Sequence, residues 1–459
     1  MSIYENAGIA LIPSRYKAGF SDNLYSVLPA NGDGDFNATR GSTATRVNKD
    51  GFIESVATNV PRLDYPLIDG VVQDCPALLL EPQRTNGLPY SLEYDNNTYY
   101  TKTNSTITSQ SGVSPDGSNT AYKLQDTNDS GATSHYIQQA SGYRATITYN
   151  AIKSGSVFVK SGTKNQVQVR LVNGSGSFSY IMGNFDLETE TILTGASANA
   201  SNISYELQNY GNGWYRCIVK GSWTLSNVTQ TALQVFIADS SLAALPNMHN
   251  YQGDGTGTLF VWGQMIESGS YPTSYIPTSG STATRSADVC NGSGTSAEFN
   301  DTESSFFVEI QAFAEENVNR YIVINDGAGS PYTNSLMIQY RNNGTVRIFH
   351  NGTDFADAIH ISGASFDQTE NHKIAIRYKE NDMKVYIDGV SQSLNSSFVY
   401  QSISGLNELS FDINGALPFL GKIKQAMTFK TALTDSELET LTSWDSFNAM
   451  AKGQLYTIE

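Results

Sequence analysis

Charge is scarce in this chain. Asp, Glu, Lys and Arg make up 16% of its 459 residues, well below the usual quarter. The basic side is the thinner one, with 28 Lys and Arg against 44 Asp and Glu and a formal net charge of −16. No Lys/Arg run offsets that balance locally. Nonspecific nucleic-acid binding is therefore excluded, because phosphate contacts need cationic side chains. Long apolar runs are missing as well. Nothing approaches the ~20 residues that span a bilayer, so no membrane insertion is expected. The opening stretch, MSIYENAGIALIPSRYKAGF, lacks a basic region followed by a long apolar core, and no secretory signal is expected. Cysteine is nearly absent. Cys75, Cys217 and Cys290 lie far apart, a sparse, odd set that gives no disulfide framework and fits synthesis in a reducing cytoplasm. Each is read as a small buried apolar residue.

Ser, Thr, Asn, Gly and Tyr supply the polarity instead, and Tyr alone occurs 26 times. This mix is poor in strong helix formers and rich in strand and turn formers. Hydrophobic residues reach 39%, enough to build cores. At roughly 100–200 residues per domain the length suits about three domains. The expectation is an all-β chain: tandem β-sandwiches of jelly-roll type, preceded by an extended N-terminal region and closed by one short helix.

The first part runs over 1–88. Thr43 to Val47 and Phe52 to Val56 flank Asn48-Lys49-Asp50-Gly51, which has hairpin-turn chemistry. Pro61, Pro66, Pro76 and Pro82 forbid long helices. Such a segment buries little by itself and is expected to pack on a later domain or a partner subunit. The second part, 89–278, alternates cleanly. Val167, Val169 and Leu171 point one way while Gln168 and Arg170 point the other. Leu259 to Trp262 is an unbroken apolar run, as in a strand buried on both faces. Residues 279–300 read as a Ser/Thr/Gly-rich linker. The third part, 301–446, is again a sandwich. Ile374, Ile376 and Tyr378 share one face of a strand, and a turn at Glu380-Asn381-Asp382 leads into Met383, Val385 and Ile387. Thr434-Asp435-Ser436-Glu437 is a capping box, followed by Leu438, Leu441 and Trp444 on one helical face. Residues 447–459 form a tail.

One hexapeptide occurs twice. Gly41 to Arg46 and Gly280 to Arg285 both read GSTATR. Placing Arg46 and Arg285 twice in a chain so poor in charge points to equivalent interaction slots, and both are taken as assembly contacts. The alternative is repeated use of one linker sequence.

These residues carry a family resemblance. DGDFNATRGSTATRVNKDGFIESVATNVPRLDY followed by CPALLLEPQRTN resembles the N-terminal region of bacteriophage virion proteins of tail-fibre or head-fibre type. GDGTGTLFVWGQMIESGSYPTSYIPTSGSTATR resembles the close of their carbohydrate-binding-module-like jelly roll. HKIAIRYKENDMKVYIDGV and GKIKQAMTFKTALTDSELETL are similar to a concanavalin-like, laminin-G-type sandwich. The resemblance implies a structural component of a phage particle, exposed on its surface and made in the host cytoplasm. It implies a dimer or trimer of this chain, contact with other virion proteins, and attachment to a host surface glycan. It carries over no catalytic residue. A dedicated receptor-binding protein and a polysaccharide depolymerase are the alternatives.

No linear motif supports catalysis, and the expectation is that the chain is not an enzyme. The carboxylates Asp186, Glu188 and Glu190 alternate, but FDLETETIL also reads as strand–turn–strand. The histidines are scattered without metal-ligand spacing, and no cofactor is expected. Calcium is the one ion considered, with Asp33 and Asp35 as candidate ligands, although two carboxylates fall short of the six to eight oxygens it takes. Sugar binding needs open aromatic faces beside amides or carboxylates. Tyr99, Tyr100, Tyr332, Tyr340 and Tyr400 lie near Asn or Gln, and Tyr332 and Tyr340 are the chosen glycan contacts.

Overall fold

A computed structural model describes residues 3–14, 24–174, 178–239, 248–313, 318–328, 333–342, 344–351, 360–361, 367–393, 400–413 and 415–443. Its α-helix is Asp435–Ser443, and nearly all remaining regular structure is β-strand. No helix among the described residues is long and apolar enough to cross a membrane.

The first sandwich stacks a seven-stranded sheet on a six-stranded one. Gln166–Asn173 lies inside the larger sheet, between Tyr180–Asp186 and Gln230–Ala238. Its alternation does what the sequence expects: Val167, Val169 and Leu171 enter the core. Gln168 and Arg170 point the other way yet are also buried. Thr258–Ser268 is buried on both faces, because Leu259 and Val261 join the main core while Trp262 joins a satellite cluster with Phe158, Trp214 and Tyr275.

The second sandwich pairs an eight-stranded sheet with a five-stranded one. Glu303–Ala312 pairs with His372–Lys379 on one side and Gly421–Phe429 on the other. Ile374, Ile376 and Tyr378 face the core. The opposite face of this sheet is covered by the helix and by the chain's first residues, so Leu438 and Leu441 pack with Tyr4, Ala10, Ile12, Phe307 and Phe429. The capping box forms. The Thr434 amide donates to Glu437 Oε2 at 2.8 Å, and the Glu437 amide donates to Thr434 Oγ1 at 3.3 Å. Trp444 lies outside the described residues.

The N-terminal region is woven into this sheet. Ala7–Leu11 and Ala77–Leu80 both pair with the same edge of Gly421–Phe429, one after the other. Their apolar residues Ile9, Leu11, Leu78 and Leu80 complete the second core. The expected linker is also structured. Ala283–Arg285 pairs with Arg84–Asn86, and Val289–Asn291 pairs with Asn37–Thr39. Its Ser/Thr-rich composition signals solvation, but cross-strand partners from the first part satisfy its backbone instead.

Candidate functional site

The three parts of the chain meet around a cleft of about 460 Å³. Asp64, Tyr65, Leu67 and Asp69 line it from the N-terminal region. Glu190, Gln208, Asn209, Tyr210, Tyr215 and Arg216 come from the first sandwich, and Phe313 and Lys422 from the second. Pro272, Thr273 and Ser274 close it. A concave site with aromatic walls and a few converging polar groups is the form that ligand pockets take.

Local backbone chemistry builds the rim. The hairpin at Asp69-Gly70 docks on the turn Asn209-Tyr210-Gly211. Gly70 has φ +74°, and a Cβ there would lie 2.3 Å from Asn209 Oδ1. Gly211 has φ +72°, with its would-be Cβ 2.5 Å from the Gly70 carbonyl oxygen. Only glycine allows the two turns to touch in these conformations. Glu190 sits in a left-handed turn, φ 55°. Asp186 ties that turn by accepting from the Glu188 and Thr189 amides at 2.9 and 3.1 Å. The three alternating carboxylates of the sequence thus follow the strand–turn–strand reading, and Glu190 is the one in the cleft. It accepts from the Tyr215 hydroxyl at 3.0 Å and from Asn209 Nδ2 at 3.1 Å.

Burial raises the hydroxyl pKa of Tyr65, Tyr210 and Tyr215, and for Tyr215 the neighbouring Glu190 adds to it. All three remain neutral donors near neutral pH. Lys422 is ion-paired with Asp64 at 3.0 Å. Burial would lower its ammonium pKa, but Asp64 more than offsets this and holds it above the ordinary value.

Behind the cleft wall lies a buried charge cluster of Arg40, Arg62 and Arg285 with Glu81 and Asp288. Arg62 Nη1 is 2.7 Å from Glu81 Oε2, and its Nη2 pairs with Asp288. Arg40 reaches Asp288 at 3.0 Å, and Arg285 reaches Glu81 at 3.2 Å. Burial alone would raise the Glu81 carboxyl. Arg285 and Arg62, with hydrogen bonds from Ser274 and Arg62, instead hold it far below the usual carboxylate range.

The sequence-derived candidates fall in different places. Arg285 is 1% exposed and engaged within the chain, so it is not available to a partner. Arg46 pairs with Glu54 at 2.7 Å on the hairpin surface. The two copies of GSTATR do meet: the Ser286 amide, just after the second copy, donates to Ser42 Oγ in the first at 2.9 Å. Their arginines nonetheless occupy unlike surroundings. Tyr340 is 1% exposed and packs edge-on against Phe419 in the second core, so its ring offers no face to a sugar. Tyr332 lies outside the described residues. Asp33 is exposed and accepts from Asn31 Nδ2 at 2.6 Å, while Asp35 accepts from the Ser26 amide at 2.9 Å. Asp33 serves a local turn and Asp35 ties two segments of the N-terminal region, and among the described residues no group of three or more His, Cys, Asp or Glu is placed to hold a metal. The cleft residues Tyr65 and Tyr210 were missed. Tyr210 lies at the turn Asn209-Tyr210-Gly211-Asn212-Gly213, whose residue types signal a turn, but its ring packs edge-on against Phe158 and is half-buried.

Residues 304–439 match the family model of the concanavalin A-like lectin/glucanases superfamily. No curated protein matches the chain. Among solved structures, the *Ruminococcus gnavus* IT-sialidase CBM40 bound to α2,3-sialyllactose is similar at 16% identity and TM-score 0.26, over 31% of this chain and 84% of that one. A *Trypanosoma rangeli* sialidase in complex with sialic acid is similar at 11% identity and TM-score 0.28, over 78% of this chain and 63% of that one. A leech intramolecular trans-sialidase is similar at 17% identity and TM-score 0.26, over 32% of this chain and 24% of that one. The expectation that the chain is not an enzyme is corrected here, because sialidases stand among its structural neighbours. Missing linear motifs do not exclude catalysis, since folding gathers groups that are far apart in sequence. At these TM-scores the likeness assigns no activity to the chain. The family match agrees with the concanavalin A-like β-sandwich that the strands form at residues 304–439.

Proposed function

We propose that this protein recognises host-surface glycans in the cleft between its three parts, and that it does so as an appendage of a bacteriophage particle. The observation that carries the glycan reading is the cleft itself. Tyr65 and Tyr210 line it as half-buried rings beside Asp64, Gln208, Asn209 and Glu190, with Tyr215 buried in the wall behind them. Sugar rings stack their C–H faces on aromatic rings, while their hydroxyls need amides and carboxylates within hydrogen-bond reach. The lectin-type sandwich at 304–439 supports the same reading. The particle role rests on the long N-terminal resemblance to fibre-type virion proteins. Assembly as a dimer or trimer with other virion proteins belongs to the same proposal.

The test is binding of the full chain to host cells and to a glycan array. Tyr65→Ala should weaken binding about tenfold, the scale of one lost aromatic contact with its buried area, while leaving the unfolding midpoint nearly unchanged. Wild-type protein that binds no host glycan overturns the recognition reading. Absence of the chain from purified particles overturns the virion role.

A further inference from the structure

The buried charges around the cleft are paired within the protein, and the exposed carboxylates on its lining select among sugars. This step rests on the glycan reading above. Asp64, Asp69, Glu81 and Glu190 line the cleft against Arg216 and Lys422. Both cations are already committed. Lys422 pairs with Asp64. Arg216 donates to the Thr273 carbonyl at 2.8 Å and to Ser156 Oγ at 2.9 Å, and it lies near the buried carboxyl of Glu267. The charge of Glu81 is met from behind by Arg62 and Arg285.

Asp69 and Glu190 remain. Both are exposed, and neither forms an ion pair among the described residues. The partners of Glu190 are a phenol and an amide, which orient its carboxylate without neutralising it. Among the described residues that line the cleft, no Lys or Arg without a partner is left to receive an anion, while two carboxylates without a cation stand at its exposed edge.

We propose that the cleft takes amino sugars bearing a free, protonated amine in preference to their N-acetylated forms, and excludes sugars that carry a carboxylate, such as sialic and uronic acids. An ammonium placed on the rim gains attraction from Asp69 and Glu190. A carboxylate there meets repulsion from both and has no unengaged Lys or Arg in the wall to answer it. At exposed positions each such interaction is worth about twofold to fivefold in affinity, and more at low salt.

The test is calorimetric titration of the full chain at slightly acid pH with three probes: a glucosamine oligomer, its N-acetylated counterpart and 3′-sialyllactose. At ~20 mM salt the amine form should bind about fivefold or more tighter than the N-acetylated form, with sialyllactose weakest, and the preference should shrink at ~0.5 M salt. In the double variant D69N/E190Q the amine and N-acetylated forms should bind alike. Both substitutions are isosteric and at exposed positions, and Gln at 190 can still accept from Tyr215. Sialyllactose binding as tightly as the amine form, or a preference that persists in the double variant, overturns charge selection while glycan recognition stands. Binding of none of the three by the wild-type chain overturns the glycan reading, and this inference with it.

Discussion

The two copies of GSTATR are identical in sequence and end in arginines with opposite surroundings. Arg46 lies on a hairpin and shares its charge with Glu54, with side chains 26% and 37% exposed. Arg285 is buried with Glu81 and Asp288, and its Nη2 also donates to the Pro82 carbonyl at 2.7 Å. Each copy forms a short strand, Ala44–Val47 and Ala283–Arg285. The strand partners differ: the first copy pairs with the next strand of its own hairpin, the second with Arg84–Asn86 from the N-terminal region. Six residues thus specify an extended conformation and a terminal cation. Whether that cation ends at the surface or in a core depends on which distant segment arrives beside it.

The largest expected effect breaks the pair apart. Arg285→Met leaves Arg62 as the one cation beside Glu81 and the Pro82 carbonyl without its donor, and should cost about 3 kcal/mol, the upper end for breaking a buried charge network. Arg46→Ala should stay within about 1 kcal/mol, as surface pairs do. Urea unfolding midpoints of the two variants measure the difference, and equal losses would erase the contrast.

Histidines give a second version of the same comparison. Burial pushes His350 down to about 4. Burial also acts to lower His372, but its bonds to Asp388 at 2.6 Å and the Asp367 carbonyl raise it. As pH falls from about 6.5 to 4, the unfolded chain takes up a proton that folded His350 refuses, so stability drops, by up to about 3 kcal/mol. The His372 contribution has the opposite sign: it is present below the unfolded pKa and lost as pH rises through the folded one. His350→Phe should flatten the acid side of the stability profile over that window, and an unchanged profile would show that His350 titrates normally.

A smaller effect sharpens the arginine contrast. The depressed carboxyl of Glu81 stabilises the fold above its unfolded pKa, and that stability is lost as pH falls toward its folded value. Removing Arg285 should move this acid loss to higher pH, whereas Arg46→Ala should leave it in place. Acid unfolding followed by tyrosine fluorescence reads the shift. The smallest change is expected from Glu54→Gln, which frees Arg46 at a cost within about 0.5 kcal/mol.

Local features were legible in the sequence because short-range rules fix them. Asn48 accepts from the Asp50 and Phe52 amides, both at 3.0 Å, and turns the first hairpin as its sequence indicates. The alternation in Val167 to Leu171 and in Ile374 to Tyr378 marks the core faces correctly. What could not be read is which strand lies beside which. Leu78 to Leu80 reads as a short apolar strand, but nothing in it names Gly421 to Ile423 as its partner. Ser/Thr-rich 279–300 reads as a linker because composition reports solvation, whereas its burial comes from segments of the first part. Proximity of a tyrosine to Asn or Gln in sequence says nothing about which ring faces a cavity, and Tyr340 lies in the second core.

The sequence by itself determined an all-β chain with two alternating sandwiches, a capped terminal helix and no excess of cations, because period, turn chemistry and composition act within a few residues. Only the tertiary structure decided that the N-terminal segment completes the last sheet, that Arg285 rather than Arg46 is buried, and that Tyr65, Glu190 and Lys422 share one cleft. Those outcomes depend on pairing and burial between positions far apart in the chain, which no local pattern encodes.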